Sequence, residues 1–390
     1  MIHGGDLTEA MARHGAGDPP WLDLSTGINP HPWPVPEALA RQGWERLPSA
    51  PDAESLLGAA RAAYRVPDEA GIVAAPGTQA LIQWLPRLAP PGGVAVLGPT
   101  YAEHEASWRL AGVDVHEITD VSAFVGQPGR GASFEAPLRG APQDEEGRGI
   151  HSRPQAEVRA GPATWAGEPR SPHDARHLVV VHPNNPDGRL LSDGELLDAA
   201  RLCQERGGWL IVDESFADIV PKRTSVALVA HYPVVVLRSF GKFYGLAGLR
   251  LGFAVAGQPI ANAIRAALGP WAVSGPALAI GAAALADDGW AHGMRARLAG
   301  EAAALDRVLE AGRLEIVGGT SLYRLARHPE ARALHEALAA EHIWVRRFTW
   351  APDLLRFGLP PDEAGFDRLA AALRRYDQGT TTIRPPCSAR

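Results

Sequence analysis

Cysteine is nearly absent from this chain, with Cys203 and Cys387 the two among 390 residues. Two cannot build a disulfide framework, and neither stands in a metal-holding Cys/His spacing. A disulfide-stapled secreted scaffold and a zinc module are therefore set aside, and no metal is expected. A surplus of positive charge is missing too. The formal charge is −6 and the isoelectric point is near 6.2, which leaves no electrostatic footprint for nucleic acid or an anionic membrane. Long apolar runs are also lacking. The longest, residues 271–286, is rich in Gly, Ala and Pro and too short to span a bilayer comfortably. The opening MIHGGDLTEA has no basic region followed by an apolar run, so no signal peptide is expected. These absences make a cytoplasmic protein the expectation. At 46% hydrophobic residues, the chain can build a large core or two domains.

What is present is a rhythm of short β-branched runs between helical patterns. Strands are expected at 71–75, 94–98, 113–118, 178–182, 209–213, 234–239 and 251–256. These runs are nearly continuous in apolar residues, as strands covered on both faces are. Ser192 and Glu195 form an S-x-x-E capping box opening a helix that Gly207 stops. Such alternation predicts an α/β fold, with a mainly parallel seven-stranded sheet between helices. That large domain is expected over 36–257. A smaller α/β domain is expected from 1–35 and 258–376, with strands at 314–326, 343–348 and 354–359. Residues 121–172 are dense in Gly, Pro, Arg and acidic residues without any period, and read as a disordered insertion. Residues 377–390 read as a flexible tail.

Four constellations fall at strand ends, where open α/β sheets place ligands. Gly77, Thr78 and Gln79 join a strand to a helix, a junction that is either an ordinary turn or an anion site. Asn184 and Asn185 precede Pro186 and Gly188, which makes a polar turn or points an amide at a ligand. Asp213 ends an apolar strand, where a carboxylate needs a partner: a capping contact, a salt bridge, or a cationic ring nitrogen. Ser239, Lys242 and Arg250 lie between two buried strands. An amine kept from water has a lowered pKa and becomes nucleophilic towards an aldehyde. A surface lysine in a long turn is the alternative.

Taken in order and spacing, these four segments resemble those of the fold-type I pyridoxal-phosphate enzymes, in the class I and II aminotransferase superfamily. The resemblance covers nearly the whole chain apart from the insertion and tail. It implies that Lys242, in S-x-x-K before GLAGLR, carries the internal Schiff base of pyridoxal 5'-phosphate. By the same match, Ser239, Arg250, Gly77, Thr78 and Gln79 bind the cofactor, chiefly its phosphate. Asp213 would hold the pyridine nitrogen protonated and so act in catalysis, Asn185 would bond the ring's phenolic oxygen, and Tyr101 would stack on the ring. Arg356, in DLLRFGLP, would grip a substrate carboxylate. The resemblance also implies a homodimer.

The N-terminal HGGDLTEAMARHG and LDLSTGINPHPWP resemble the branch that decarboxylates L-threonine O-3-phosphate in cobalamin biosynthesis. His3, Gly4, Gly5 and Asn29 would then meet a small phosphorylated amino-acid substrate. A histidinol-phosphate-type aminotransferase and a non-catalytic binding module on the same fold are the alternatives. Three positions depart from the wider family: Phe216, where a tyrosine is common, Asp187 after Asn-Pro, and Leu47, where relatives often carry a tyrosine that reaches the neighbouring subunit.

Overall fold

Runs such as HLVVV and LIVD show no polar alternation, and each lies in a sheet covered on both faces. The computed structural model describes residues 4–16, 18–41, 43–125 and 171–379. Its strands are β1 (Leu22–Leu24), β2 (Ala70–Ala75), β3 (Val94–Leu97), β4 (Val115–Ile118), β5 (His177–Val181) and β6 (Leu210–Asp213). β7 (Val234–Ser239), β8 (Gly252–Gly257), β9 (Glu315–Thr320), β10 (Tyr323–Arg327), β11 (Ile343–Arg347) and β12 (Leu354–Gly358) complete the set. Seven of them form one sheet in the order β2-β8-β7-β6-β5-β3-β4. β8 pairs antiparallel with both neighbours, and the remaining pairings are parallel.

The apolar runs are explained by two cores. Leu178 and Val180 of β5, Leu210 and Val212 of β6, and Val234 and Val236 of β7 enter one core. Val179, Ile211, Val235 and Leu237, from the same strands, enter the other. Burying each such side chain is worth about 1.5–3 kcal/mol relative to exposure, which fixes the register of the central strands. The helix Thr78–Leu88 turns Leu81, Ile82 and Leu85 onto the second core. The capping box forms: Ser192 Oγ accepts from Glu195 N at 3.2 Å, and Glu195 Oε2 accepts from Ser192 N at 2.7 Å. The helix Asp193–Glu205 then ends before Gly207, whose φ of +64° suits glycine.

Strand direction decides where the chemistry sits. β3, β5, β6 and β7 are parallel, and β2 runs with them because β8 is antiparallel to both β2 and β7. Their C-terminal ends and the start of β8 therefore share one edge. Ala75, Gly252 and Ser239 stand abreast there, as do Val181, Asp213 and Leu237. The helix Gln258–Leu268 still packs on this sheet, and Gly275–Leu285 packs on the helix Ala50–Tyr64, with Gly281 close against Leu251 and Leu56.

A second sheet has the order β1-β11-β12-β10-β9, with β1 parallel to β11 and the other pairs antiparallel. The single strand expected over 314–326 is a hairpin of β9 and β10, bent at Ser321-Leu322. Its glycines, Gly318 and Gly319, stand before the bend, so no turn residue marks the bend itself. The expected insertion is structured at its margins. Ser122–Val125 is a short helix whose Phe124 is fully buried beneath the Arg206 guanidinium, 4.7 Å from the ring centroid. Ser171 caps a turn at Pro172–Asp174. The rest of the insertion and most of the expected tail lie outside the described residues.

Candidate active site

β7 runs directly into a short helix, Phe240–Phe243. Phe240 and Phe243 are buried on either side of Lys242 and leave that side chain to line a cavity at the sheet edge. Its Nζ lies 5.9 Å from the Phe216 ring centroid. Burial first, then the charges of Arg356 and Arg250, lower its pKa to about 8, against the pull of Asp213. An amine in that range has a far larger neutral fraction near neutral pH than an ordinary lysine. Lysine occurs only at 222 and 242 in the chain.

Asp213 closes β6 and is sealed from water. Its Oδ1 accepts from Ser215 N at 2.9 Å and Ser215 Oγ at 2.5 Å, and its Oδ2 lies 2.8 Å from His104 Nε2. A carboxylate only accepts, so Nε2 of His104 carries the proton. Burial pushes the Asp213 pKa up, but the His104 bond and charge, with the Ser215 bonds, outweigh it and leave the pKa below its usual value. His104 is a functional neighbour that the sequence reading did not single out. It follows Tyr101 by three residues at the start of the helix Glu103–Leu110, and that spacing was its signal.

The strand-to-helix junction at Gly77 is a cradle with no room to spare. Gly77 has φ +83°, and a Cβ there would fall 2.6 Å from Arg250 Nη2. A Cβ on Gly252 would fall 2.6 Å from Thr78 N. Free N–H groups at the start of an eleven-residue helix, an arginine and the hydroxyl of Ser239 thus face one another around the cavity floor. Gln79 uses its amide on neighbours: Nε2 donates to Glu103 at 2.9 Å, and Oε1 accepts from Tyr101 OH at 3.3 Å. This holds the Tyr101 ring at the cavity wall, where burial and then Glu103 and Asp213 push its pKa up to about 12.

Across the cavity, Arg356 projects from β12. Nη1 donates to Asn185 Oδ1 at 2.5 Å and Nη2 to Ser25 O at 2.6 Å, while Nε is buried without a partner. Its guanidinium lies over the Tyr323 ring at 5.1 Å, and burial lowers its pKa to about 10. Tyr323, also not singled out from sequence, donates its hydroxyl to Asn184 O at 2.6 Å. Asn184 is occupied in the turn: its amide meets Thr100, Pro99 and Asp187. Asp187 shapes that same turn, and Phe216 packs edge-on against Tyr323 at 5.2 Å. Leu47 is 64% exposed.

Gly4 lines the cavity, and Gly5 N donates to Ser25 Oγ at 2.9 Å. His3 lies outside the described residues. Asn29 does not face the cavity as expected. Its Nδ2 donates to Phe243 O at 2.8 Å and its Oδ1 accepts from His31 N at 2.9 Å, so the amide braces the Lys242 segment from behind.

The cavity holds about 700 Å³. Its lining includes Lys242 and five arginines, Arg250, Arg332, Arg346, Arg347 and Arg356, against one carboxylate, Asp213. Pyridoxal phosphate fits these residues. The Gly77 cradle suits its phosphate, the buried low-pKa carboxylate suits a protonated ring nitrogen, and the buried amine suits its aldehyde.

Comparison with known proteins agrees. The family model described as aminotransferase class I and II matches residues 21–373. A threonine-phosphate decarboxylase of Sinorhizobium sp is 39% identical over 384 residues, covering 97% of this chain and 98% of that protein. One from Pseudomonas aeruginosa is 38% identical over 378 residues, with the same coverage. Among solved structures, a histidinol-phosphate aminotransferase from Sinorhizobium meliloti in complex with pyridoxal-5'-phosphate superposes with a TM-score of 0.70. It has 18% identity and covers 91% of this chain and 90% of that one, a likeness of fold.

Proposed function

The chain belongs to the aminotransferase class I and II family, and from that premise we propose that it decarboxylates L-threonine O-3-phosphate with pyridoxal 5'-phosphate as cofactor. The product is (R)-1-amino-2-propanol O-2-phosphate, and the pathway is cobalamin biosynthesis. The observation that carries this reading is the charge of the cavity. Among the described residues five arginines, of which Arg347 also pairs with Glu9 at 3.0 Å, and a lysine line it with one carboxylate, a balance suited to a cofactor phosphate together with a substrate bearing both a carboxylate and a phosphate. The near full-length relatives at 38–39% identity support the same substrate.

Bound pyridoxal phosphate supplies an electron sink for the bond broken at Cα. The chain's residues do the rest. Gly77, Thr78, Ser239 and Arg250 would hold the cofactor phosphate, and Asp213, kept anionic by His104 and Ser215, would hold a proton on the ring nitrogen. Tyr101 would pack against the ring, and Asn185 would bond its phenolic oxygen. Arg356 and the basic rim beyond it would hold the carboxylate and phosphate of the substrate and so decide which bond at Cα is broken. Lys242, with a pKa lowered to about 8, would hold the cofactor by its aldehyde carbon and would be the acid that returns a proton to Cα after carbon dioxide leaves.

We propose a homodimer on the family resemblance, and the cytoplasm as its location on the charge and composition. Leu47 and Trp271, 64% and 60% exposed, are large apolar side chains consistent with a covered face. Among the described residues no helix is long and apolar enough to cross a membrane.

The deciding experiment mixes cofactor-loaded protein with L-threonine phosphate and no keto acid, with products followed by mass spectrometry. Steady formation of aminopropanol phosphate and carbon dioxide is expected. Turnover that waits for histidinol phosphate and 2-oxoglutarate would make the protein an aminotransferase instead.

A further inference from the structure

The helix Phe240–Phe243 that carries Lys242 is one turn long, too short to satisfy its own carbonyls. Residues 29–33 add donors at its C-terminal end, where Lys242 O also accepts from Gly245 N at 3.3 Å. Asn29 N donates to Lys242 O at 2.9 Å, Asn29 Nδ2 to Phe243 O at 2.8 Å, and Trp33 N to Tyr244 O at 2.9 Å. Asn29 is 1% exposed, and its Oδ1 accepts from His31 N, which fixes the amide with Nδ2 towards Phe243. The two segments touch without slack: a Cβ on Gly245 would fall 2.8 Å from Asn29 O and 2.7 Å from Pro32 Cα.

The same stretch reaches Arg356 at its other end. Ser25 O accepts from Arg356 Nη2, and Gly27 lies under Tyr323 and Phe216 so closely that a Cβ would meet them at 2.8 and 3.0 Å. Beyond Asn29 the stretch is tied down again. His31 Nε2 is 2.8 Å from Glu301, and Trp33 Nε1 donates to Asp287 at 3.1 Å. A single run of chain from the second sheet therefore contacts both the cation that faces the substrate and the backbone that carries the amine.

We propose that residues 25–33 act as a ruler between Arg356 and Lys242, with Asn29 the positioning residue that sets where the Lys242 amine stands. The proposal rests on Lys242 being the reacting amine. An amine that must return a proton to one carbon is sensitive to displacement, and a shift near 1 Å can cost about 100-fold in rate. The Asn29 side chain acts through the Phe243 carbonyl and its backbone N–H through that of Lys242, and Asn29 does not line the cavity.

The test uses the scarcity of lysine. Cofactor-free protein is labelled with limiting acetic anhydride, and mass spectrometry compares Lys242 with the exposed Lys222 as internal reference. Asn29→Ala is expected to raise the Lys242 to Lys222 ratio severalfold. In the loaded enzyme it should lower kcat for threonine phosphate by about 100-fold with KM little changed. Asn29→Ser adds no charge, keeps an oxygen for His31 N and falls short of Phe243 O, so it decides the matter if Asn29→Ala does not fold. A folded variant with a wild-type labelling ratio and wild-type kcat, altered only in melting temperature, would overturn the ruler. Labelling needs no substrate. A wrong substrate would leave the ratio shift intact, and a Lys242→Ala variant that still turns over would remove the premise instead.

Discussion

Nε2 of His104 lies 2.8 Å from Oδ2 of Asp213, and both side chains are sealed from water. With Ser215 on the other oxygen, this bond keeps a buried carboxylate ionised. His104→Phe would leave Oδ2 without that partner, so burial would push the Asp213 pKa up and weaken its hold on a ring proton. A hydrogen bond to a charged group is worth about 1.5–3 kcal/mol, so kcat should fall roughly 10–100-fold. Asp213→Asn should fall further, because the amide cannot carry the charge. Steady-state kinetics of the two variants, with cofactor content checked by absorbance, test the order. Equal activity of His104→Phe and wild type would count against the pairing.

Lys242 sets a pH signature on the cofactor-free protein. Its folded pKa is about 8 against 10.5 in a free chain, chiefly through burial. Between those values the unfolded chain holds a proton that the folded chain has released. Stability from this group therefore rises with pH across the window, the reverse of a lysine that gains an ion-pair partner. Urea midpoints of wild type and Lys242→Met, measured from pH 8 to 10.5, should converge as pH rises. A constant difference would mean that the amine is not held neutral.

Sequence patterning located most of this architecture because burial on both faces leaves a plain signal. β5, β6 and β7 alternate between two cores, and their apolar runs mark them to within a residue. The hairpin of β9 and β10 was hidden, since Thr320-Ser321 carries no strong turn residue while Gly318 serves a close approach to Asp187 and Gly319 one to Tyr323 and Arg324. At the site, Lys242, Asp213, Gly77 and Arg356 were legible because each is a costly residue at a strand or helix end. Asn29 was visible as a residue but not as an orientation. It lies in a proline-rich stretch with no period, and nothing local says which way such a side chain turns. His104 was masked by its ordinary helical setting. Its role depends on Asp213, 109 positions away.

Gly77→Ala should separate cofactor binding from folding. The position has φ +83°, and the added methyl would fall 2.6 Å from Arg250 Nη2. Arg250 must then move away from the anion cradle. Loss of one charge-assisted bond corresponds to a rise of about tenfold or more in the Kd for pyridoxal phosphate. Gly207→Ala is the control, because its φ is +64° with nothing within 4 Å of the new Cβ. It shares a positive φ and should leave cofactor affinity unchanged. Fluorescence titration of both apoproteins reads the difference.

Arg356→Lys tests how the substrate is gripped. The guanidinium uses Nη1 on Asn185 and Nη2 on Ser25, and lies over Tyr323. Burial brings its pKa to about 10, so it stays charged at neutral pH. A lysine keeps the charge but loses the planar fork that meets a carboxylate with two parallel bonds. KM for threonine phosphate should rise roughly 10–100-fold, the equivalent of one lost charged hydrogen bond, with a smaller effect on kcat. Tyr323→Phe keeps the ring under Arg356 and removes only the bond to Asn184 O. It should leave KM unchanged and cost about 1 kcal/mol of stability. If Arg356→Lys leaves KM at its wild-type value while Arg346→Lys raises it, the carboxylate is held at the neighbouring strand, and the substrate lies the other way round in the cavity.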